Sequence, residues 1–194
     1  MKLIEVRDAT RADLKEVLAL WTELAEYHSG LSDHFELAWD GRRRWSKYLA
    51  SKFKEISTKL VVAEEDGRLV GFLLCLLSPN SPVFAERKIG VISDVYVVPE
   101  RRKRGVTKLM FDYAVKWLRK NKVRTIQLGV AAANPEAIAV WRKMGFEPFI
   151  LYERIDIGQV PERRPKTQSR KLVRKKKAEK GSGLRSRIRI RRGP

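Results

Sequence analysis

The chain has 194 residues, 43% of them hydrophobic, and a formal net charge of +19. That length suits one proper core plus an appendage; no stretch approaches the roughly 18 to 20 continuous apolar residues of a membrane span, and the single cysteine, Cys75, excludes an internal disulfide or a cysteine metal cluster. The opening MKLIEVRDAT lacks the apolar run of a leader, so a soluble cytoplasmic protein is expected.

In chain order, an apolar start, IEVRDA, leads into RADLKEVLALWTELAEYH, where Leu14, Val17, Leu18, Trp21, Leu24 and Ala25 recur at helical spacing behind Thr10 or Asp13 as cap. The periodicity predicts a helix with one buried face. EYHSGLSDHF follows, with the two histidines, His28 and His34, six apart around Asp33. Six is not a helical metal spacing and no cysteine is near, so no metal is expected. A second helix is predicted from about Gly41 to Lys54, carrying Trp45, Tyr48, Leu49 and Phe53. KLVVAEEDGRLVGFLLCLL then reads as two strands around Asp66-Gly67, a hairpin signal, with Cys75 as a buried structural thiol. The next strand is KIGVISDVYVV, along which strict alternation sets Ser93 and Asp94 on opposite faces.

The stretch VVPERRKRGVTKLM joins that strand to a helix from about Val106 to Lys120 through Arg101, Arg102, Lys103 and Arg104 in succession. Such a turn repels itself and invites an anion. A helix's first amides have no partner inside the helix. Together with the helix dipole they bind anions, and with Gly105 permitting close approach and Arg102 and Lys103 adding charge, diphosphate is the natural guest. The spacing of a Walker phosphate loop is missing, and Gly105 alone cannot supply the three glycines of a dinucleotide fingerprint. A strand VRTIQLGVA, a helix opened by Asn134-Pro135 and closed by Gly145, and the segment FILYERIDI complete a mixed α/β order with an antiparallel front half.

The segment from Val91 to Trp117 resembles the coenzyme A motif of the GNAT N-acetyltransferase superfamily, in which a strand, an [Arg/Gln]-x-x-Gly-x-[Gly/Ala] loop and a helix grip the pyrophosphate. Here the loop reads Arg102-Lys103-Arg104-Gly105-Val106-Thr107, and a second family motif appears as NPEAIAVWRKMGF, Asn134 to Phe146. With the element order, the resemblance covers roughly residues 3 to 157. It implies an α/β (α+β) fold: a mixed, mostly antiparallel central sheet flanked by helices. It also implies acetyl-CoA as acyl donor and a primary amine as acceptor, with a homodimer left open. Val95, Tyr96 and Val97 would then lie along the pantetheine arm, which in the family adds like a strand to a splayed sheet. The amides of Arg102, Lys103, Arg104, Gly105, Val106, Thr107 and Lys108 would hold the diphosphate, and Asn134 would contact the arm from the opposite side. Strand packing for Val95 and Val97, and helix capping for Asn134, are the plainer readings of the same residues.

Three positions depart from the family pattern. Thr107 stands where Gly or Ala is usual. Ser93, with Asp94 beside it, occupies the strand position where some relatives carry a glutamate as general base. Trp141 stands where many relatives have a tyrosine that protonates the leaving thiolate, and an indole N–H is no useful proton source near neutral pH. The catalytic candidates are therefore Ser93, Asp94 and Trp141, with a water chain to Asp94, Glu64, His28 or His34 as route for the amine's proton. Tyr27, His28, His34 and Phe35 are candidate acceptor-pocket residues, since family members build much of that pocket after the first helix. The missing glutamate and tyrosine keep open a second reading, an acyl-CoA-binding regulator without efficient catalysis.

At the C-terminal end, residues 161–194 hold 15 Lys or Arg against two Glu and no aromatic residue, leaving 27 basic and 21 acidic residues in 1–160. We divide the chain into an acetyltransferase domain, 1–160, and a strongly basic tail, 161–194. The tail is a candidate binder of nucleic acid or the ribosome, and a protein targeted this way is a third reading. Because it has no aromatic residue, it is not expected to read single-strand sequence.

Overall fold

The computed structural model describes residues 3–161. The elements are β1 (Glu5–Asp8), α1 (Leu14–Leu31), α2 (Gly41–Lys52), β2 (Thr58–Glu65), β3 (Arg68–Pro79), β4 (Lys88–Val97), α3 (Val106–Lys120), β5 (Ile126–Leu128) and α4 (Pro135–Lys143). The strands form one sheet in the order β1-β2-β3-β4-β5. All pairings are antiparallel except β4 with β5, which is parallel.

Local chemistry explains most boundaries. Asp66 and Gly67 both take positive φ, 52° and 73°, the conformation that a two-residue hairpin needs to match strand twist. Asn134 caps α4 by accepting from the Ala137 amide at 3.0 Å, with Pro135 in the first turn, and Gly145 ends it at φ +91°. At α1 the cap position is Asp13, yet its carboxylate does not cap the helix. It is engaged elsewhere: Arg7 Nη1 and Nη2 donate to it at 2.8 and 2.9 Å, and the Thr10 amide at 2.6 Å. The same guanidinium reaches Glu64 Oε2 at 2.6 Å, tying β1, the entry to α1 and β2 together.

Two apolar layers sandwich the sheet. On one face Ala63, Leu73, Cys75 and Ile92 meet Met110, Ala114 and Leu118 of α3 and Trp141 of α4. On the other, Val62, Phe72, Leu74 and Tyr96 meet Val17, Leu20 and Leu24 of α1 and Trp45 and Leu49 of α2. Each fully buried Val, Leu, Ile, Phe or Met among them contributes about 1.5–3 kcal/mol by leaving water. Cys75 is fully buried, and burial pushes its thiol up to about 12, an inert core residue.

Strand β4 departs from simple alternation. Its register with β3 slips between Leu74, opposite Asp94, and Cys75, opposite Ile92, which leaves Ser93 as the extra residue of a bulge. Ile92 and Val95 therefore share one face, and the side chains of Ser93 and Asp94 come together, with Ser93 Oγ donating to Asp94 Oδ2 at 2.6 Å. The opposite-face expectation for that pair is thus corrected by the bulge. A second tight point is Gly71 of β3, where a Cβ would stand 2.7 Å from the Tyr96 carbonyl oxygen.

The chain divides into two compact units, Met1–Glu147 and Pro148–Pro194, and all nine elements above belong to the first. In the second, the described stretch 148–161 contains no strand; FILYERIDI leaves Phe149, Leu151 and Tyr152 exposed, and a single 3₁₀ turn, Ile157–Gln159, follows. The expectations for the basic tail fall on 162–194, outside the described residues, apart from Pro161.

Candidate active site

A groove of about 560 Å³ opens where β4 hands over to α3. The parallel β4–β5 register runs only from Gly90↔Ile126 to Ile92↔Leu128, whereas β4 continues to Val97. Beyond Ile92, β4 has no strand partner on the β5 side among the described residues. Val95, Tyr96 and Val97 line the groove at that open edge, and Asn134, Ala137 and Trp141 line it from α4.

At one end of the groove the chain turns into α3. Lys103 and Gly105 take φ of +59° and +79°, and Gly105 is the N-cap, with no side chain capping the helix. The first bond into α3 from outside runs from the Leu109 amide to the Gly105 carbonyl at 3.0 Å. The amides of Val106, Thr107 and Lys108 precede that bond and belong to the turn whose N–H groups a helix cannot satisfy itself. A Cβ at Gly105 meets nothing within 4 Å, so the backbone there stands open to a guest. Uncapped amides at the dipole's positive end, flanked by Lys103 and Arg104, can hold a diphosphate. Arg102 is placed differently from its neighbours: its Nε donates to the Val97 carbonyl at 3.0 Å, and its guanidinium lies 5.4 Å from the Tyr96 ring and 5.8 Å from Tyr27. It ties the loop to β4 and α1.

On the α1 side of β4 sits the half-buried carboxylate of Asp94. Trp21 Nε1 donates to its Oδ1 at 3.2 Å and Ser93 to its Oδ2. Burial raises its pKa, the two hydrogen bonds opposing. His28 is also desolvated, which lowers its pKa, with Asp94 pulling the other way. Next along the strand, the Tyr96 hydroxyl donates to Glu23 Oε2 at 2.9 Å; burial, and then that carboxylate, push Tyr96 up to about 12. A half-buried carboxylate within electrostatic reach of a desolvated imidazole is a reasonable proton acceptor.

Of the candidate bases, Asp94 and His28 are brought together electrostatically. Glu64 is held by Arg7 at the β1–β2 pairing, and His34 is exposed in the 3₁₀ turn Asp33–Phe35. His28 stands between Tyr27 and Phe35, at ring distances of 6.0 and 5.4 Å. Trp141 is 6% exposed and forms an edge-on cluster with Phe111 and Phe146, at 6.1 and 5.3 Å. The face of α4 packed on the core is Ala137, Trp141 and Met144. Two residues of the site were not legible as such: Trp21 and Glu23 read in sequence only as positions on α1, and their partners lie 73 residues away. Among the described residues no three His, Cys, Asp or Glu are grouped to hold a metal, and no helix is long and apolar enough to cross a membrane.

Residues 18–146 match the family described as the acetyltransferase (GNAT) family. The chain is 26% identical over 148 residues to an uncharacterized N-acetyltransferase of Methanocaldococcus jannaschii, a match covering 76% of this chain and 62% of that one, so it spans about three fifths of that relative's length. To an uncharacterized N-acetyltransferase of Archaeoglobus fulgidus it is 28% identical over 134 residues, 69% of this chain and 86% of the relative. In fold it is similar to a predicted acetyltransferase from Clostridium acetobutylicum crystallised with acetyl-CoA, with a TM-score of 0.68 at 17% identity, covering 79% of this chain and 96% of that one. With more than half of its length matched by the family model, the chain belongs to the GNAT acetyltransferase family.

Proposed function

We propose that the protein transfers an acetyl group from acetyl-CoA to a primary amine by direct attack within a ternary complex. The observation that carries this reading is the juxtaposition of an open β4 edge, an uncapped positive-φ turn at α3 and the Asp94 carboxylate on the same strand. The amides from Lys103 to Lys108 hold the diphosphate, the Arg102 amide of the expected set being taken by the Pro99 carbonyl at 3.2 Å, while the edge of β4 from Val95 to Val97 and Asn134 hold the arm. A β4 amide donates to the thioester oxygen as negative charge builds there. The amine nitrogen attacks the carbonyl carbon, its proton passes to Asp94 directly or through water, and the C–S bond breaks to release the thiolate. Thiols ionise near pH 8.5, so the leaving group departs without a dedicated acid. In this scheme Trp141 shapes the groove and excludes water, and His28, Tyr27 and Phe35 border the acceptor.

The test is free-thiol release by the full chain with acetyl-CoA and a panel of primary amines, with acetylated products identified by mass spectrometry. Turnover is expected, and Asp94→Asn should lower it by about 10²–10⁴ at neutral pH. Tight coenzyme A binding by calorimetry with no turnover on any amine would instead support the non-catalytic regulator. A binding role for 161–194 rests on its composition, 15 basic residues against two acidic, which fits a polyanion such as RNA.

A further inference from the structure

We propose that Trp21, clamped by its stack on Trp45, is a positioning residue that fixes the orientation in which the Asp94 carboxylate receives the acceptor's proton. This rests on the reading of Asp94 as the base. The two carboxylate oxygens are held from two different elements, Oδ1 by Trp21 of α1 at 3.2 Å and Oδ2 by Ser93 of β4 at 2.6 Å. These donors are not equivalent. Ser93 is exposed and its hydroxyl rotates, whereas an indole offers one N–H in one direction. The indole's own place is set by the core. Its ring lies 4.5 Å from Trp45 at 11°, and Trp45, 9% exposed, is packed edge-on against Phe72 at 6.2 Å. A chain of three aromatic residues therefore transmits the rigidity of the α1–α2 layer to one carboxylate oxygen.

The surroundings leave few other groups to do this. Opposite Asp94 on β3 is Leu74, which is apolar, and α2 contributes Trp45. From α1, His28 interacts with Asp94 electrostatically, while Glu23 is taken by the Tyr96 hydroxyl. A hydrogen bond to the ionised form favours that form against the desolvation that opposes it. Losing the indole N–H therefore leaves Asp94 harder to ionise as well as freer to rotate.

Two replacements isolate the N–H. Trp21→Phe keeps an aromatic ring on Trp45, and β-(3-benzothienyl)alanine at position 21 keeps the bicyclic shape with sulfur in place of N–H, which covers the case in which the Phe variant folds poorly. The first readout is the carboxyl ¹³C titration of Asp94 in aspartate-labelled protein, assigned by its disappearance in Asp94→Asn, and it needs no acceptor. The second is the pH profile of thiol release with acetyl-CoA and an amine that the panel finds acetylated. Both replacements should move the Asp94 midpoint and the acid limb to higher pH. Turnover should fall about tenfold on the acid side and recover toward the parent value above neutrality. An unmoved midpoint in both, with only the melting temperature lowered, would overturn the proposal and leave Trp21 a packing residue. If Asp94→Asn keeps full turnover, the base assignment fails, and the midpoint still decides whether Trp21 governs that carboxylate.

Discussion

Placing a carboxylate at the turn before α3 tests the diphosphate site most directly. Gly105→Ala and Gly105→Glu share one backbone cost, because both put a side chain at φ +79°, a left-handed conformation that costs an L-residue about 1–2 kcal/mol. The added Cβ itself meets nothing within 4 Å in either variant. The two differ in charge and in the side chain beyond Cβ, and Gly105→Gln, with the same bulk and no charge, separates these. At about 5 Å and an effective dielectric of about 20, a like charge facing the diphosphate costs about 3 kcal/mol, or roughly a hundredfold in affinity. Calorimetric titration with coenzyme A should show a modest loss for Ala and that further hundredfold loss for Glu, with both variants melting as folded proteins. A Glu variant binding within threefold of the Ala variant would refute the assigned loop. Neutralising Arg102 should be milder than Gly105→Glu, because its guanidinium is spent on the Val97 carbonyl and two tyrosine rings.

Trp141→Phe should lose less than about tenfold in single-turnover rate, any larger change appearing in stability or cofactor affinity; a thousandfold loss with intact binding would make this tryptophan a participant in the transfer. The Asp13 carboxylate is held well below the usual range by hydrogen bonds from Arg7, so its stabilisation is fully present above the unfolded value near 3.9 and is lost as pH falls through and below it. Denaturant melts from pH 6 to pH 3 should therefore show a steeper loss in the parent than in Asp13→Asn, and parallel curves would exclude the linkage. Removing 161–194 should abolish binding to a polynucleotide in a retardation assay and leave coenzyme A binding intact, with the parent's affinity falling steeply as salt is raised; unchanged retardation would end that idea.

Element types and their order were readable because the apolar periods are long and their punctuation is chemical: Asp66-Gly67 for the hairpin, Asn134-Pro135 for the α4 cap, Gly145 for its end. The strand-to-helix turn at Gly105 was readable for the same reason, a glycine and a charge run between two periodic segments. What was hidden depends on contacts between distant residues. Alternation gives no warning of one extra residue, so the bulge at Ser93 was invisible, and with it the pairing of Ser93 with Asp94. The periodicity of α1 gives the buried face but not that Trp21, near its margin, reaches β4. The face of α4 toward the core is Ala137, Trp141 and Met144, the i, i+4, i+7 set of a helix row. VRTIQLGVA is a longer apolar run than the Ile126–Leu128 strand it yields, because β4 pairs with only that much of it.

The early parting of β4 from β5 also bears on self-association. An unpaired strand edge offers its backbone to any extended chain, including another molecule of the same kind, and folded proteins commonly guard such edges with lysine and arginine. Here the edge from Ser93 to Val97 that β5 leaves unpaired leads through Val98, Pro99 and Glu100 to Arg101, held by Glu65, Arg102, held by the Val97 carbonyl, and the exposed Lys103 and Arg104. On the proposed reading, the exposed charges of Lys103 and Arg104 that draw a diphosphate toward the turn also repel a second copy of the same turn. Coenzyme A bound there as proposed would cover the edge, and resistance to heat-induced association should then grow with the logarithm of the ligand's excess over its dissociation constant.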